Sequence, residues 1–317
     1  GFRAAAFHLG VMRKLASLGL LDKIDLLSCV SGGSIAGGFV ALNWRNASKL
    51  DHLDSYLRST SIAVSSFVLG LLDPFHTRLE MLASTYERDL CGQATLGDLA
   101  NAPRTYLNTT NLATGNLCFF VGGGGKPAEI GDHELGSYSD PTFPLSRAIA
   151  ASSAFPPVFP PLRIPSNRFP SAGEVEHASL TDGGVYDNMG INPTLRARNA
   201  LDYVIVSDGG KPFTMDTSPT ESGALVLRAA IDVLMEQVRG LEFDRLEYRH
   251  RAGAGPKPLW FSIDSTEGEL RAGDAAFASR VSTNLKRLTP IEMDVLGRHG
   301  GALVEARLRH YAPELLA

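Results

Sequence analysis

A serine becomes a nucleophile when a base can take its proton and N–H groups can hold the oxyanion that follows. Residues 28–38, SCVSGGSIAGG, place Ser34 among glycines, after the apolar run IDLLSCV (24–30). That run predicts a buried strand, and Ile35, Phe39 and Leu42 recur at helix-face spacing beyond it. A strand–turn–helix of this kind pushes a side chain outward, while Gly32 and Gly33 remove the Cβ atoms that would clash in the bend. The helix then points its first N–H groups, including that of Ile35, and its positive dipole end at the turn. Residues 32–36 read Gly-x-Ser-x-Ala, with Ala36 where close packing asks for a small residue.

A base is sought next. In LTDGG (180–184), Asp182 ends a short strand and runs into Gly183 and Gly184. SDGG (207–210) offers Asp208 in the same relation to its strand, and either could be an Asp-Gly turn alone. Asp182 has the richer downstream context, VYDNMGINP, a polar loop leading toward Asn192 as a cap with Pro193 at the first helical position. The late histidines His250, His299 and His310 lie among charged residues and are expected at the solvated surface. A Ser–acid–His hydrolase would also need several strands ahead of its serine, where here one is found.

These residues must be held by a scaffold. Phe7, Val11, Leu15 and Leu18 predict a first helix ending at Gly19. Helical segments fill much of 47–100, strands follow at 104–112 and 116–132, the latter folded about a glycine hairpin, and 144–164 begins as a helix stopped by Pro156 and Pro157. DYVIVSD (202–208) and LWFSID (259–264) read as strands, with a long helix between them and a capping box at Thr289 and Glu292. Helix, strand, turn, helix in this order argues for parallel strands. No repeat or linker divides the chain, so one domain over 1–317 is expected, with the motif blocks in 1–210 and a C-terminal part, 211–317, helical with one further strand.

Other classes drop out. A net charge of −4 with scattered lysine and arginine gives no footprint for nucleic acid. The three cysteines are too far apart for a zinc site or a disulfide framework and read as buried thiols. VGGGGKP (121–127) has proline where a phosphate loop needs serine or threonine. Asp182, Asp187 and Asn188 lack calcium-loop spacing, so neither metal nor cofactor is expected. No apolar stretch reaches a membrane-spanning length, and charges interrupt the N-terminal segment as a signal peptide. The segment SIAVSSFVLGLLDPF (61–75), near Trp44, is either core or a lipid-facing element.

The whole set resembles the patatin-like phospholipases, lipid acyl hydrolases with a Ser-Asp dyad. The resemblance rests on Gly32–Ala36 with Ser34 as nucleophile, ASSAFPPVFPP (151–161), and the Asp-Gly-Gly block at Asp182 with Asn188 and Pro193 beyond it. Gly1-Phe2-Arg3 looks like the tail of the family's glycine-rich oxyanion loop, which implies donors at Gly1 and upstream, with Arg3 structural or electrostatic. Asp208 lies beyond the last matching block. The resemblance implies an α/β fold, a patatin-like three-layer sandwich with a central, mostly parallel sheet flanked by helices and a first strand upstream of Gly1. It implies a phospholipase A type activity on phospholipid or other acyl-lipid, through a serine acyl-enzyme with an aspartate base, with the lipid met at a membrane surface; location, cytoplasmic or peripheral to a membrane, is left open. The alternatives are a soluble esterase or thioesterase on the same dyad, or a catalytically silent binding protein.

Overall fold

The computed structural model describes residues 1–44, 46–62, 75–215, 218 and 221–316. The segment considered above as core or lipid-facing lies mostly outside them. Helix α1 (Phe2–Ser17) buries Phe7, Val11 and Leu15 and stops before Gly19, which takes a left-handed φ of 71°. Strand β1 (Leu26–Val30) runs straight into α2 (Gly32–Leu42). After α3 (Leu50–Ser59) and α4 (Phe75–Tyr86) come four strands, β2 (Arg104–Asn111), β3 (Asn116–Gly122), β4 (Glu129–Asp132) and β5 (Gly136–Ser139).

Helix α5 (Leu145–Ser152) leads to β6 (Leu162–Pro165) and β7 (His177–Asp182). Strand β8 (Tyr203–Asp208), the long α6 (Gly223–Arg251) and β9 (Lys257–Ser262) follow. The described chain closes with α7 (Asp274–Arg280) and α8 (Pro290–Tyr311), whose capping box at Thr289 and Glu292 is formed in full.

The sheet corrects the expectation of a central, mostly parallel sandwich. Strands β1 to β7 form one strongly curled, mainly antiparallel half-barrel, β5-β4-β3-β2-β7-β6, with β1 also on β2. Among the described strands the parallel pairs are β1 with β2 and, in a separate two-stranded sheet, β8 with β9. Connection length explains the difference. A parallel pair needs a crossover of a dozen or more residues, and those two pairs have helices between their strands. Strands β2 to β5 are joined by short turns, which force antiparallel neighbours. Strands β1 and β7 share one edge of β2, β1 along its first half and β7 along its last three residues.

The core reaches from the sheet into the helices. Helices α2 and α5 pack against each other and against β2, while α1 lies on α8. That last contact is backbone on backbone: a Cβ on Gly10 would stand 2.0 Å from the Gly297 carbonyl oxygen, so glycine is required there. His299, expected at the surface, is fully buried in this layer, bonded to the Ile263 carbonyl at 3.0 Å with its ring near Phe7. The region after Asp182 also departs from expectation. In place of a capped helix over 191–200 it forms two 3₁₀ turns, Asn192–Leu195 and Ala197–Asn199, broken by extended backbone at Arg196. All three cysteines are buried free thiols.

Candidate active site

The chain passes from β1 to α2 through one residue, Ser31, at φ 52° and ψ −120°. Side chains other than glycine rarely take this backbone, and such strain persists where the surroundings enforce it. Ser31 is half-buried, and its hydroxyl makes no capping bond to the helix it precedes. Its N–H is held from below by the carbonyl of Ser152 at 3.2 Å and by that residue's hydroxyl at 3.3 Å.

Ser34 sits one turn further on, within α2, and is fully buried. Ser152 Oγ donates to the Asn108 carbonyl at 2.6 Å, so the 2.7 Å contact between the two serines has Ser34 donating to Ser152. Both hydroxyls are thus consumed in the floor beneath Ser31. Ser34 and Asp182 share no hydrogen bond.

Asp182 ends β7 and is 1% exposed. Its Oδ1 accepts the Gly184 N–H at 2.8 Å. Burial pushes the carboxyl up to about 6, against the Gly184 N–H and the Ser31 hydroxyl, which pull it down. Oδ2 makes no hydrogen bond, so Ser31 lies near the carboxyl without being bonded to it. Resting acid–base pairs commonly look like this and tighten when substrate binds.

The glycines earn their places by close approach. A Cβ on Gly183 would come 2.4 Å from the Asn108 carbonyl oxygen, and one on Gly32 would come 2.3 Å from that of Gly1. Gly32 and Gly33 open α2, where N–H groups have no intrahelical partner. Their positive end faces the turn at Ser31. The Ile35 N–H, expected to serve here, is directed instead to the Ser31 carbonyl at 3.4 Å, as is that of Ser34 at 3.0 Å. Gly184 lies beside Asn188, whose Oδ1 would be 2.7 Å from an added Cβ.

Neighbouring charged groups are engaged elsewhere. Arg3 is 1% exposed and donates to the carbonyls of Val281 (3.0 Å), Gly209 (3.3 Å) and Ser279 (3.4 Å), which makes it a clamp from α1 to the end of α7 and the turn after β8. Burial lowers its guanidinium to about 10. Asp208 pairs with Arg239 at 2.6 Å and accepts the Gly210 N–H at 2.8 Å. His8, which lies beside Gly33 and Gly209, is bonded to Ser207 at 2.9 Å, and burial lowers its imidazole to about 4.

The residue at the turn itself is Ser31, which the sequence reading did not single out. The signal was available: in a strand–turn–helix the outward residue is the one directly after the strand, and Ser31 follows LLSCV with glycines at the next two positions. The loop after α5 lies on Asp182 itself, because the Ala154 carbonyl accepts the Asp182 N–H at 3.2 Å and the Thr181 hydroxyl at 2.8 Å. Immediately beyond it Phe155 is 36% exposed and Val158 42% exposed. No helix among the described residues is long and apolar enough to cross a membrane.

A family model, that of the patatin-like phospholipases, matches residues 1–195, a span that holds β1, α2 and β7 with Ser31, Ser34, Ser152 and Asp182. No curated protein matches the chain.

Proposed function

Since the chain belongs to the patatin-like phospholipase family, whose members are lipid acyl hydrolases, we propose that it cleaves carboxylic esters of phospholipids or related acyl-lipids, with Ser31 as nucleophile and Asp182 as base. The observation that carries this reading is the strained, half-buried Ser31 at the β1–α2 junction, which the register of β1 and β7 on β2 sets beside a buried aspartate with a free Oδ2.

Ser31 Oγ attacks the ester carbonyl carbon while its proton passes to Asp182 Oδ2. The oxyanion so formed lies before the α2 N-terminus, where the N–H groups of Gly32 and Gly33 point. Collapse breaks the ester C–O bond, and the departing alcohol takes the proton from Asp182. Water then attacks the acyl-enzyme and gives a proton to Asp182. As the fatty acid leaves, that proton returns to Ser31. Desolvation suits Asp182 to this work, because a carboxyl near 6 is a stronger base than an ordinary one near 3.8. Phe155 and Val158, on the loop that supports the base, favour an acyl chain over a small polar alcohol as neighbour.

The test is fluorophosphonate labelling of wild type, Ser31→Ala, Ser34→Ala and Asp182→Asn, followed by release of fatty acid from phospholipid vesicles. Loss of labelling in Ser31→Ala, with retention in Ser34→Ala, is the expected result. Labelling that survives Ser31→Ala would refute the assignment.

A further inference from the structure

Asp187 is the hub of the loop that leaves the base. It is fully buried, its N–H donates to the Gly183 carbonyl at 2.9 Å, and its carboxylate accepts Ile191 N–H (3.1 Å), Asn192 N–H (2.8 Å) and the Asn192 amide (2.7 Å). One residue thus ties the Gly183–Gly184 turn to the chain eight or nine residues on. Against Asp187 lies a second carboxyl, Glu242 of α6, 6% exposed, on the helix whose Arg245 bonds the same Asn192 that Asp187 holds. Glu242 Oε2 is buried and finds no donor.

We infer that Glu242 is a positioning residue for the base, a neutral carboxylic acid whose proton is donated to Asp187 and so fastens the Asp182 loop to α6. The positioning role rests on the Ser31–Asp182 reading. Two buried carboxyls in contact do not both ionise. Asp187 already accepts three N–H bonds whereas Glu242 Oε2 accepts none, so the shared proton sits on Glu242. A proton on Oε2 also removes the orphaned acceptor.

The charged or titratable groups around Glu242 are Asp187 from the loop and Arg245 from its own helix, which is committed to Asn192 Oδ1 at 3.0 Å. Burial first, and Asp187 second, push the Glu242 carboxyl up to about 10, with Arg245 offsetting little of it. A folded-state value raised this far gives a definite sign. The stability Glu242 contributes is full below the ordinary carboxyl range and is lost as pH rises through about 10.

Glu242→Gln keeps an N–H donor for Asp187 and cannot ionise, whereas Glu242→Met fills the volume without a donor. The experiment compares thermal melting from pH 6 to pH 10, and the rate of fluorophosphonate labelling, for both variants and wild type. Glu242→Gln is expected to melt progressively above wild type as pH rises, to label within twofold of it at pH 8, and to keep labelling near pH 10 where wild type falls. Glu242→Met is expected to show wild-type circular dichroism and at least a tenfold slower maximal labelling rate, with an unchanged half-saturating probe concentration.

Parallel melting of wild type and Glu242→Gln across this range would overturn the shared proton. Wild-type labelling of Glu242→Met would overturn the positioning role. Labelling that persists in Ser31→Ala would instead overturn the catalytic reading and the positioning role with it, while the melting comparison still decides the contact itself.

Discussion

Val30 and Asp182 stand opposite consecutive residues on one edge of β2, Asn108 and Thr109 respectively. Strand β1 runs parallel to β2 and β7 antiparallel, so their C-terminal ends meet head to head. The chain must turn away at both, at Ser31 on one side and Gly183 on the other. The site lies where two strands arriving from opposite directions run out of room on a third.

The strain at Ser31 is measurable without reference to activity. Ser31→Gly and Ser31→Ala both remove the hydroxyl, but glycine alone takes a φ of 52° without cost. Urea denaturation is expected to find the glycine variant more stable than the alanine one by about 1–2 kcal/mol. Equal midpoints would mean that the turn stores no strain.

Ser34→Ala removes one donor from the floor beneath Ser31. A net loss of about 1 kcal/mol is expected, with labelling retained at a modestly lower rate. Complete loss of labelling in a folded Ser34→Ala protein would return the nucleophile to Ser34.

Asp182 makes two predictions of opposite sign. Labelling should rise about tenfold per pH unit below about 6 and level off above it, as the base loses its proton. Stability moves the other way. With the folded value raised from 3.8 to about 6, the contribution of the neutral carboxyl is full below 3.8 and lost as pH rises through about 6. Asp182→Asn is therefore expected to be inactive yet more stable than wild type at pH 7, by about 3 kcal/mol from the size of that shift. A less stable Asp182→Asn would contradict the cost assigned to the buried charge.

Gly183→Ala would press a methyl group to within 2.4 Å of the Asn108 carbonyl oxygen. A destabilisation of about 1–3 kcal/mol is expected, with slower labelling because the base shifts as the backbone yields. Wild-type behaviour in both measurements would show that the strand ends are not crowded as described.

Phe155→Asp and Val158→Asp address the apolar loop beside the base. Hydrolysis of vesicle phospholipid is expected to fall at least tenfold, while a short-chain soluble ester is turned over within about twofold of wild type, in line with loss of apolar contact to an acyl chain. Equal losses on both substrates would place the loop in the chemistry and remove it from chain recognition.

Much of the scaffold could be read from residue pattern. The apolar spacing of α1, the hairpin of β3 and β4 about its glycines, and the capping box at Thr289 and Glu292 are local features written in local sequence. Strand direction was harder. The helix–strand–helix opening suggested parallel neighbours, whereas the short turns from Asn111 to Gly136 set most of the sheet antiparallel. The three-residue distance between Ser34, singled out in the sequence, and Ser31, which occupies the turn, has a similar origin. In a run of serines and glycines nothing local says where the strand stops, and it is the pairing of Val30 with Asn108 that ends it. His299 looked solvated among its charged neighbours, yet the face of α8 it occupies is the one that meets α1.

Strand β2 also dictates an order of events during synthesis. The turn at Ser31 is made early, but it has no register until residues 104–108 emerge to pair with β1, and its partner is absent until β7 closes on the far half of the same edge. Every contact that brings the hydroxyl and the carboxylate together is long-range, and such contacts form late in folding. A nascent or half-folded chain therefore holds the serine and the aspartate apart, and on the proposed mechanism it could not hydrolyse an ester until the last strand of the half-barrel is in place.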